Sequence, residues 1–486
     1  MRLSELFREV EFDGSIKNDA DINLVTDDSR LVRPGSLFVC IRHRSFDGHT
    51  AALDALASGA AAVVTQDRLG LENELHVADS RSTYARLCAA LCNHPERKLR
   101  MIGVTGTNGK TTVNTLIRNI LSDSGTKTLL TGTVCNRLGD ENLPSGLTTP
   151  KPPELYSLLS RAVSQRCKAC VMEASSQALA QGRLEGIDFD AAVFTNITRD
   201  HLDYHGTFEN YISAKKKLFE HSTLSIVNLD DPRANEIIAA SKGKIITFST
   251  VLDCADYTAK NISLLSDCVR FELVSKGHIE HIEFASPGLF SVSNAMAAAV
   301  CAVNLGIEPK DAAQSLAKSK SVCGRLERVE CSAPYSVIID YAHTPDGLEQ
   351  VLRALRPSCR GKLIVLFGCG GDRDRTKRPL MGAAACKYAD KIIVTSDNPR
   401  SEDPMKIIGD ILKGTDKKHR NLFVEPDRRK AIALALKTAE PGDTVLLAGK
   451  GHEKYQLIGG EKLPLDERET VRKILGLPHD TGRKKQ

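Results

Sequence analysis

The sharpest chemical signal in the chain is Gly106-Thr107-Asn108-Gly109-Lys110-Thr111-Thr112, which follows the apolar run Leu99–Thr105 and opens a helical pattern over Thr111–Leu121. Glycines let backbone N–H groups close around phosphate oxygens, and a helix N-terminus adds its positive end. Lys110 is placed to reach β- and γ-phosphates, and the Thr111 hydroxyl to ligate Mg²⁺. The strict G-x-x-x-x-G-K-[ST] spacing calls for glycine at 104, where Val104 stands; the glycine is at 106 instead. By itself the loop predicts a nucleotide-phosphate site and no more. Glu173 ends a second apolar run, Ala169–Glu173, and strand ends in open α/β sheets face the ligand crevice. His201 and His205 stand four apart without an H-E-x-x-H pattern, which excludes a zinc protease. Lys215, Lys216 and Lys217, taken alone, read as a solvated helix face. Cys167-Lys-Ala-Cys170 is a lone C-x-x-C without a second pair at zinc spacing and reads as structural.

These residues need elements to position them. Strand-like runs at Leu99–Thr105, Ala169–Glu173, Ala191–Thr195, Leu224–Asn228 and Lys244–Phe248 alternate with helical patterns, which predicts a largely parallel sheet with helices on its faces. The style repeats downstream, with strands at Ser336–Asp340, Lys362–Gly368, Lys391–Ser396 and Thr444–Ala448. Helices are expected there at Pro345–Leu355, Pro404–Leu412 and Arg428–Thr438. Upstream, Ser36–Ile41 and Ala60–Val64 flank a helical Ala51–Ser58, a small α/β unit. Asn93–Lys98 is polar, contains a proline and reads as a linker. The expected organisation is α/β in three domains, 1–98, 99–327 and 328–486, the last Rossmann-like, with hinges near 95–100 and 322–330.

The bulk composition narrows the class. A chain of 486 residues suits about three domains. Its 41% hydrophobic and 26% charged content are ordinary for a soluble globular protein. A net charge of +5 argues for neither a nucleic-acid nor a membrane partner, and the basic run Arg483–Lys485 reads as a solvated tail. There is no signal peptide pattern and no apolar stretch of ~20 residues. The 14 scattered cysteines then read as reduced thiols, and the chain as a cytoplasmic monomer.

Further motifs line up in order along the chain. They are Met172-Glu-Ala-Ser-Ser-Gln177, Phe194-Thr-Asn-Ile-Thr-Arg-Asp-His-Leu-Asp-Tyr-His-Gly206, Tyr211-Ile-Ser-Ala-Lys215 and Asn228-Leu-Asp-Asp-Pro232, then Gly324-Arg-Leu-Glu327, Asp340-Tyr-Ala-His-Thr-Pro-Asp346, Gly368-Cys-Gly-Gly-Asp-Arg-Asp374, Asp397-Asn-Pro-Arg400 and Ala448-Gly-Lys-Gly-His-Glu453. With the loop at 106–112, this series resembles the Mur ligase family from near residue 25 to near 456. The related folylpolyglutamate synthetases usually show Gly-Lys-Gly-Ser where this chain has Gly-Lys-Thr-Thr. Three positions depart from the family pattern: Gln177 for a usual His, Ser291 for a common Asn, and Leu147 for an Asn before Thr148.

The resemblance implies an ATP-dependent, amide-forming ligase of peptidoglycan precursor synthesis, serving cell shape and division. Such ligases work through an acyl phosphate, and cations dominate where anionic groups meet. The catalytic set implied is Lys110, Glu173, His201, Lys215 and Arg325. Glu173 and Thr111 would hold one Mg²⁺ and His201 another. The lysine of Tyr-x-x-Ala-Lys, here Lys215, would be carbamylated by CO₂, and its carbamate would be a further Mg²⁺ ligand. ATP would further meet Gly106–Thr112, Asn294, Arg325 and Asp340, with His343 nearby. The UDP-MurNAc-L-Ala-D-Glu substrate would meet Asp27, Ser29, Arg44, Ser45 and Phe46, and its muramoyl-dipeptide part Thr148, Thr149, Ser175, Gln181 and Arg183. Taken singly, each Ser or Thr reads as a cap or turn residue. The amino acid would meet Arg373, Asp397, Asn398, Pro399, Arg400, Gly449 and Glu453. An Arg fork at 400 suits the extra carboxylate of meso-diaminopimelate, which lysine lacks. A lysine-adding ligase is the alternative, and a non-catalytic nucleotide switch on the same fold is a third possibility.

Overall fold

A computed structural model describes residues 1–43, 46–416 and 421–478. Arg44, Ser45 and the basic run Arg483–Lys485 lie outside the described residues.

The first unit is a parallel sheet of β1 (Leu24–Thr26), β2 (Ser36–Val39), β3 (Ala60–Thr65) and β4 (Glu74–His76), in that order. The helix Ser80–Leu91 covers it, capped by the Asp79 carboxylate, which accepts from Arg81 and Ser82 N–H. The segment read as a linker is packed. Asn93 and His94 take left-handed backbone (φ 57° and 47°), and Pro95–Lys98 form a 3₁₀ turn with Pro95 and Glu96 buried. His94 Nδ1 meets Glu96 Oε1 at 2.9 Å inside that turn. Proline at the first turn position fixes the backbone where composition alone suggested open chain.

The central unit holds eleven strands: β5 (Arg100–Thr105), β6 (Thr128–Thr131), β7 (Asn136–Leu138), β8 (Glu141–Leu143), β9 (Ala169–Glu173), β10 (Ala191–Phe194), β11 (Leu224–Asn228), β12 (Lys244–Ser249), β13 (Tyr257–Leu264), β14 (Val269–Ser275) and β15 (His278–Phe284). Their order is β15-β14-β13-β12-β11-β10-β5-β9-β6-β7-β8. From β13 to β6 the neighbours run parallel; β13-β14-β15 and β6-β7-β8 are antiparallel arms. The expected parallel sheet is therefore the middle of a wider mixed one. Strands β9, β10 and β11 are buried at every position, as near-continuous apolar runs require when helices cover both faces. Helices Lys110–Asp123 and Leu289–Asn304 share one face of the core; Pro152–Ser164 and Phe208–Glu220 share the other. Gly103 makes the second face possible: a Cβ there would stand 2.8 Å from Leu218 Cδ1. Helix Phe208–Glu220 thus lies close on β5 and carries Lys215 under the phosphate loop.

The third unit orders β16 (Glu327–Arg328), β17 (Ser336–Asp340), β18 (Leu363–Phe367), β19 (Lys391–Val394), β20 (Leu422–Val424) and β21 (Thr444–Ala448) as β16-β17-β21-β18-β19-β20. Only β16 runs antiparallel, so the chain has entered this sheet by Glu327. A hairpin of β22 (Tyr455–Ile458) and β23 (Glu461–Pro464) follows. Helices Pro345–Leu355, Lys377–Tyr388 and Pro404–Leu412 cover one face; Arg428–Lys437 and Glu467–Ile474 cover the other.

Under that last pair of helices, Arg428 and Glu467 are both fully buried and bonded at 2.8 Å. Arg428 also donates to the carbonyls of Ser396, at 3.2 Å, and Ala448, at 2.7 Å. Removing one partner leaves a buried charge uncompensated. Arg428→Met should lower the unfolding free energy by about 3 kcal/mol in denaturant titrations, and the double variant R428M/E467M should recover part of the loss.

Candidate active site

The strand ends place the phosphate loop. Gly106 has φ +153°, and a Cβ on it would fall 1.9 Å from Thr195 Oγ1, at the end of β10. Gly109 has φ +86°, and a Cβ on it would stand 2.5 Å from Asn294 Oδ1. Only glycine accepts both the conformation and the approach. The segment after β10 braces the loop: Asn196 O accepts from Thr107 N–H at 2.8 Å and Asn196 Oδ1 from Asn108 N–H at 2.9 Å. Lys110 Nζ donates to Gly106 O and Thr107 O, both at 2.8 Å. Burial pulls its pKa down, partly offset by Glu173 and Asp200.

Glu173 ends β9 facing this loop. Its Oε1 accepts from Thr133 N–H at 2.8 Å, and its Oε2 from the hydroxyls of Thr133 at 2.9 Å and Thr111 at 3.1 Å. Arg325 donates to the same Thr111 hydroxyl at 3.1 Å and stacks over the Tyr341 ring at 4.4 Å. Glu173 and Thr111 set hard oxygens side by side, a donor pair that fits Mg²⁺. His201, at φ +52°, lies 3.4 Å by Nε2 from Asp200 Oδ2. Burial lowers its pKa to about 4, so the imidazole is neutral near neutral pH and free to act as a ligand. Lys215 is buried, donates to Gly106 O at 2.7 Å and lies 4.7 Å over the Tyr211 ring. Burial, reinforced by the charge of Lys110, pushes its pKa well below the usual lysine range, with Asp200 opposing.

A cavity of about 630 Å³ runs from this loop past Asn294 and Arg325 to Asp340 and His343. Asp340 spends both oxygens on backbone: it accepts from Leu326 and Ala342 N–H, each at 2.7 Å, which ties the Arg325 loop to β17. Asn108 donates to Asp346 Oδ2 at 3.0 Å, joining the phosphate loop to the third unit. Thr148, Thr149, Ser175 and Arg183 line the same cavity, as do Leu147, Gln177 and Ser291. Ser291 turns its hydroxyl back to Pro287 O at 2.8 Å. Gln181 lies off the cavity wall and holds Arg183 instead, at 2.9 and 2.6 Å. Asp27, Ser29 and Phe46 sit on the first unit and do not line this cavity. Asp27 accepts from the Tyr84 hydroxyl at 3.1 Å and lies 3.6 Å from Lys151, a residue of the central unit.

A second cavity of about 160 Å³ is lined by Arg373, Asp397, Asn398, Arg400, Gly449 and Glu453. Asp397–Arg400 follows β19 and Gly449–Glu453 follows β21, so both loops leave the carboxyl ends of parallel strands. Pro399 supports its loop from outside the cavity: a Cβ on Gly371 would meet its carbonyl oxygen at 1.9 Å. Arg400, with φ +54°, donates to Gly371 O at 2.8 Å. Asp200, His201, Tyr341 and His343 line both cavities, so one wall separates them. Burial would push the Asp200 carboxyl up, yet His201, Lys377 and His343 together hold it far below the usual carboxylate range.

Sequence reasoning missed several of these parts. Asn196 and Asp200 were inside a quoted motif but without a role, and Lys450 stands between two residues that had one. Tyr211 likewise stood in the Tyr-x-x-Ala-Lys motif without a role, whereas Thr133 and Lys377 reach the site only through the fold.

Comparison with known proteins agrees with this geometry. Models of the Mur ligase family catalytic domain, the Mur ligase middle domain and the Mur ligase glutamate ligase domain match residues 21–90, 104–302 and 324–451. A UDP-N-acetylmuramoyl-L-alanyl-D-glutamate–2,6-diaminopimelate ligase of Caldanaerobacter subterraneus subsp. tengcongensis is 43% identical, covering 98% of this chain and 99% of its own. One of Clostridioides difficile is 42% identical, covering 94% and 95%. A solved structure of a ligase of that name is 35% identical and superposes with a TM-score of 0.70, over 98% of this chain and 99% of its own. Matched end to end and unit by unit, this chain belongs to the Mur ligase family.

Proposed function

We propose that the chain is the ATP-dependent ligase that adds meso-2,6-diaminopimelate to the D-Glu of UDP-MurNAc-L-Ala-D-Glu in peptidoglycan precursor synthesis. The observation that carries this reading is the shared wall. A nucleotide cavity with Lys110, Thr111 and Glu173 backs directly onto a smaller pocket that offers an Arg fork and a carboxylate. Residues 1–98 would hold the uridyl end, 99–327 the ATP, and 328–486 the amino acid.

The ATP γ-phosphoryl group passes to the D-Glu side-chain carboxylate, giving an acyl phosphate and ADP. The diaminopimelate amine, having lost its proton, attacks the carbonyl carbon; the C–N bond forms and phosphate leaves. Lys110 and Arg325 set positive charge where phosphate oxygens collect. One Mg²⁺ held by Glu173 and Thr111 and another held by His201, with the Lys215 carbamate as a further ligand, would neutralise the β- and γ-phosphate charge. Thr148, Thr149, Ser175 and Arg183 would orient the muramoyl dipeptide, with Asp27, Ser29 and Phe46 on the uridyl part. Asn294 and Asp340 belong to the nucleotide side. Arg400 and Arg373 would take the distal carboxylate of diaminopimelate, and Glu453 its ammonium. A lysine substrate would leave the Arg400 fork unpaired, a penalty far larger than that of a missing methylene.

Lys215 would act as a carbamate. Its nitrogen attacks CO₂, a proton leaves, and an anionic oxygen pair replaces an ammonium beside Lys110. The reaction needs the neutral amine that burial favours here.

Phosphate release from ATP with the UDP-dipeptide should occur with meso-diaminopimelate and be at least ~100-fold weaker, in kcat/KM, with L-lysine. Release with lysine alone would replace the diaminopimelate reading by the lysine-adding one. Arg400→Met should lower kcat/KM for diaminopimelate by ~100-fold or more and leave the lysine value nearly unchanged. Native mass spectra in bicarbonate should show one added CO₂ on the wild type and none on K215M, and CO₂-free buffer should depress turnover of the wild type.

A further inference from the structure

Lys450 stands between Gly449 and Glu453, and its side chain is fully buried. Its ammonium donates to Asn398 Oδ1 at 2.8 Å and to Glu453 Oε2 at 2.5 Å, and lies 3.8 Å from Asp397 Oδ1. Asn398 Nδ2 closes the ring by donating to the same Glu453 oxygen at 3.0 Å. Asn398 Oδ1 also accepts from Leu457 N–H at 2.9 Å, at the start of the β22–β23 hairpin. One ammonium therefore joins the loop after β19, the loop after β21 and, through Asn398, the hairpin. Both bonds to Glu453 fall on Oε2, which leaves Oε1 for the cavity. Arg428 performs the equivalent task one level deeper, bonding the carbonyls of Ser396 and Ala448 that precede the two loops.

We propose that Lys450 is a positioning residue for the amino-acid substrate, fixing Glu453 and Asn398 so that Glu453 Oε1 meets the distal ammonium while Arg400 meets the distal carboxylate. The inference rests on the reading of the 160 Å³ cavity as the amino-acid pocket. Lys450 does not bind the substrate itself: its donors are directed at two protein acceptors, with Asp397 3.8 Å away, and it has no accessible surface. Behind the Glu453 carboxylate its charge is separated from the incoming ammonium, whereas in the cavity it would repel it. A buried ammonium is tolerated only when paired. All of its acceptors lie on the pocket loops, so pairing it sets their register. The charges of Lys450 and Arg428 also outweigh the effect of burial on Asp397 and keep that carboxyl below its usual range.

The test is steady-state phosphate release by the full chain, first as wild type with diaminopimelate, then as K450M and K450Q. Absence of wild-type turnover with diaminopimelate would overturn the pocket reading itself, before any variant is compared. With turnover in hand, both variants should raise KM for diaminopimelate by roughly 30-fold or more, while KM for ATP and for the UDP-dipeptide stays within about twofold. The double variant K450M/E453Q should bind diaminopimelate no worse than E453Q, because Lys450 acts through Glu453. Should K450M fail to fold, K450Q, whose uncharged amide is one bond shorter and so cannot hold both loops at once, carries the comparison. An unchanged KM for diaminopimelate in K450Q, equal rises in all three KM values, or additive losses in the double variant would overturn the proposal.

Discussion

Two lysine side chains, Lys110 and Lys215, share one buried space beneath the phosphate loop; burial pulls the pKa of each down, and the charge of Lys110 lowers that of Lys215 further. Coulomb repulsion between unit charges is several-fold stronger there than in water. The fold answers with anions placed at strand ends, Glu173 and Asp200, and with carbonyls of the loop itself. Each of those groups lies at the carboxyl end of a strand or just past it, because only there can loops from parallel neighbours converge. The site is thus organised around positive charge that the protein leaves partly unbalanced, and a polyphosphate is the natural complement.

That arrangement requires helix Phe208–Glu220 to lie unusually close to β5. Gly103 supplies the room, and Tyr211, Leu218 and Phe219 supply the apolar contact that holds the helix there. Tyr211 does more than pack: its hydroxyl meets Thr107 Oγ1 at 2.9 Å, so the turn that carries Lys215 is also bonded to the phosphate loop. Packing and hydrogen bonding therefore fix the same distance, and a change in either moves the lysine.

Much of the sheet framework was legible because buried parallel strands read as short apolar runs. Ala169–Glu173, Leu224–Asn228, Ser336–Asp340 and Thr444–Ala448 form at the bounds the sequence suggests. The arms were not legible. Residues 257–284 alternate polar and apolar because one face of β13–β15 meets solvent, and such a pattern is weaker than a continuous run. The 93–98 segment reads as open chain because most of its polar residues do stay exposed, while Pro95, Glu96 and the His94–Glu96 contact pack against the fold. At the site, contiguous motifs located the phosphate loop, Glu173 and the 397–400 loop. Side chains that act on those motifs from elsewhere in the chain, such as Thr133 and Lys377, carry no local signal, since their role exists only once the sheets are assembled.

The same assembly explains why the two cavities share a wall. The loop Arg199-Asp200-His201 belongs to the central unit, and loop 371–377 to the third. They face each other with crossed charges: Arg199 lies 3.6 Å from Asp374, and Lys377 lies 3.9 Å from Asp200. At these separations the pairs attract without the tight geometry of a bidentate bond, so they favour juxtaposition without rigidly locking it. Asn108–Asp346 adds a direct hydrogen bond across the same boundary. Any displacement of the third unit would shift Lys377 and His343 away from Asp200, and with them the balance of charge around His201. The position of the smaller cavity and the electrostatics around the phosphate loop are therefore set by the same few contacts.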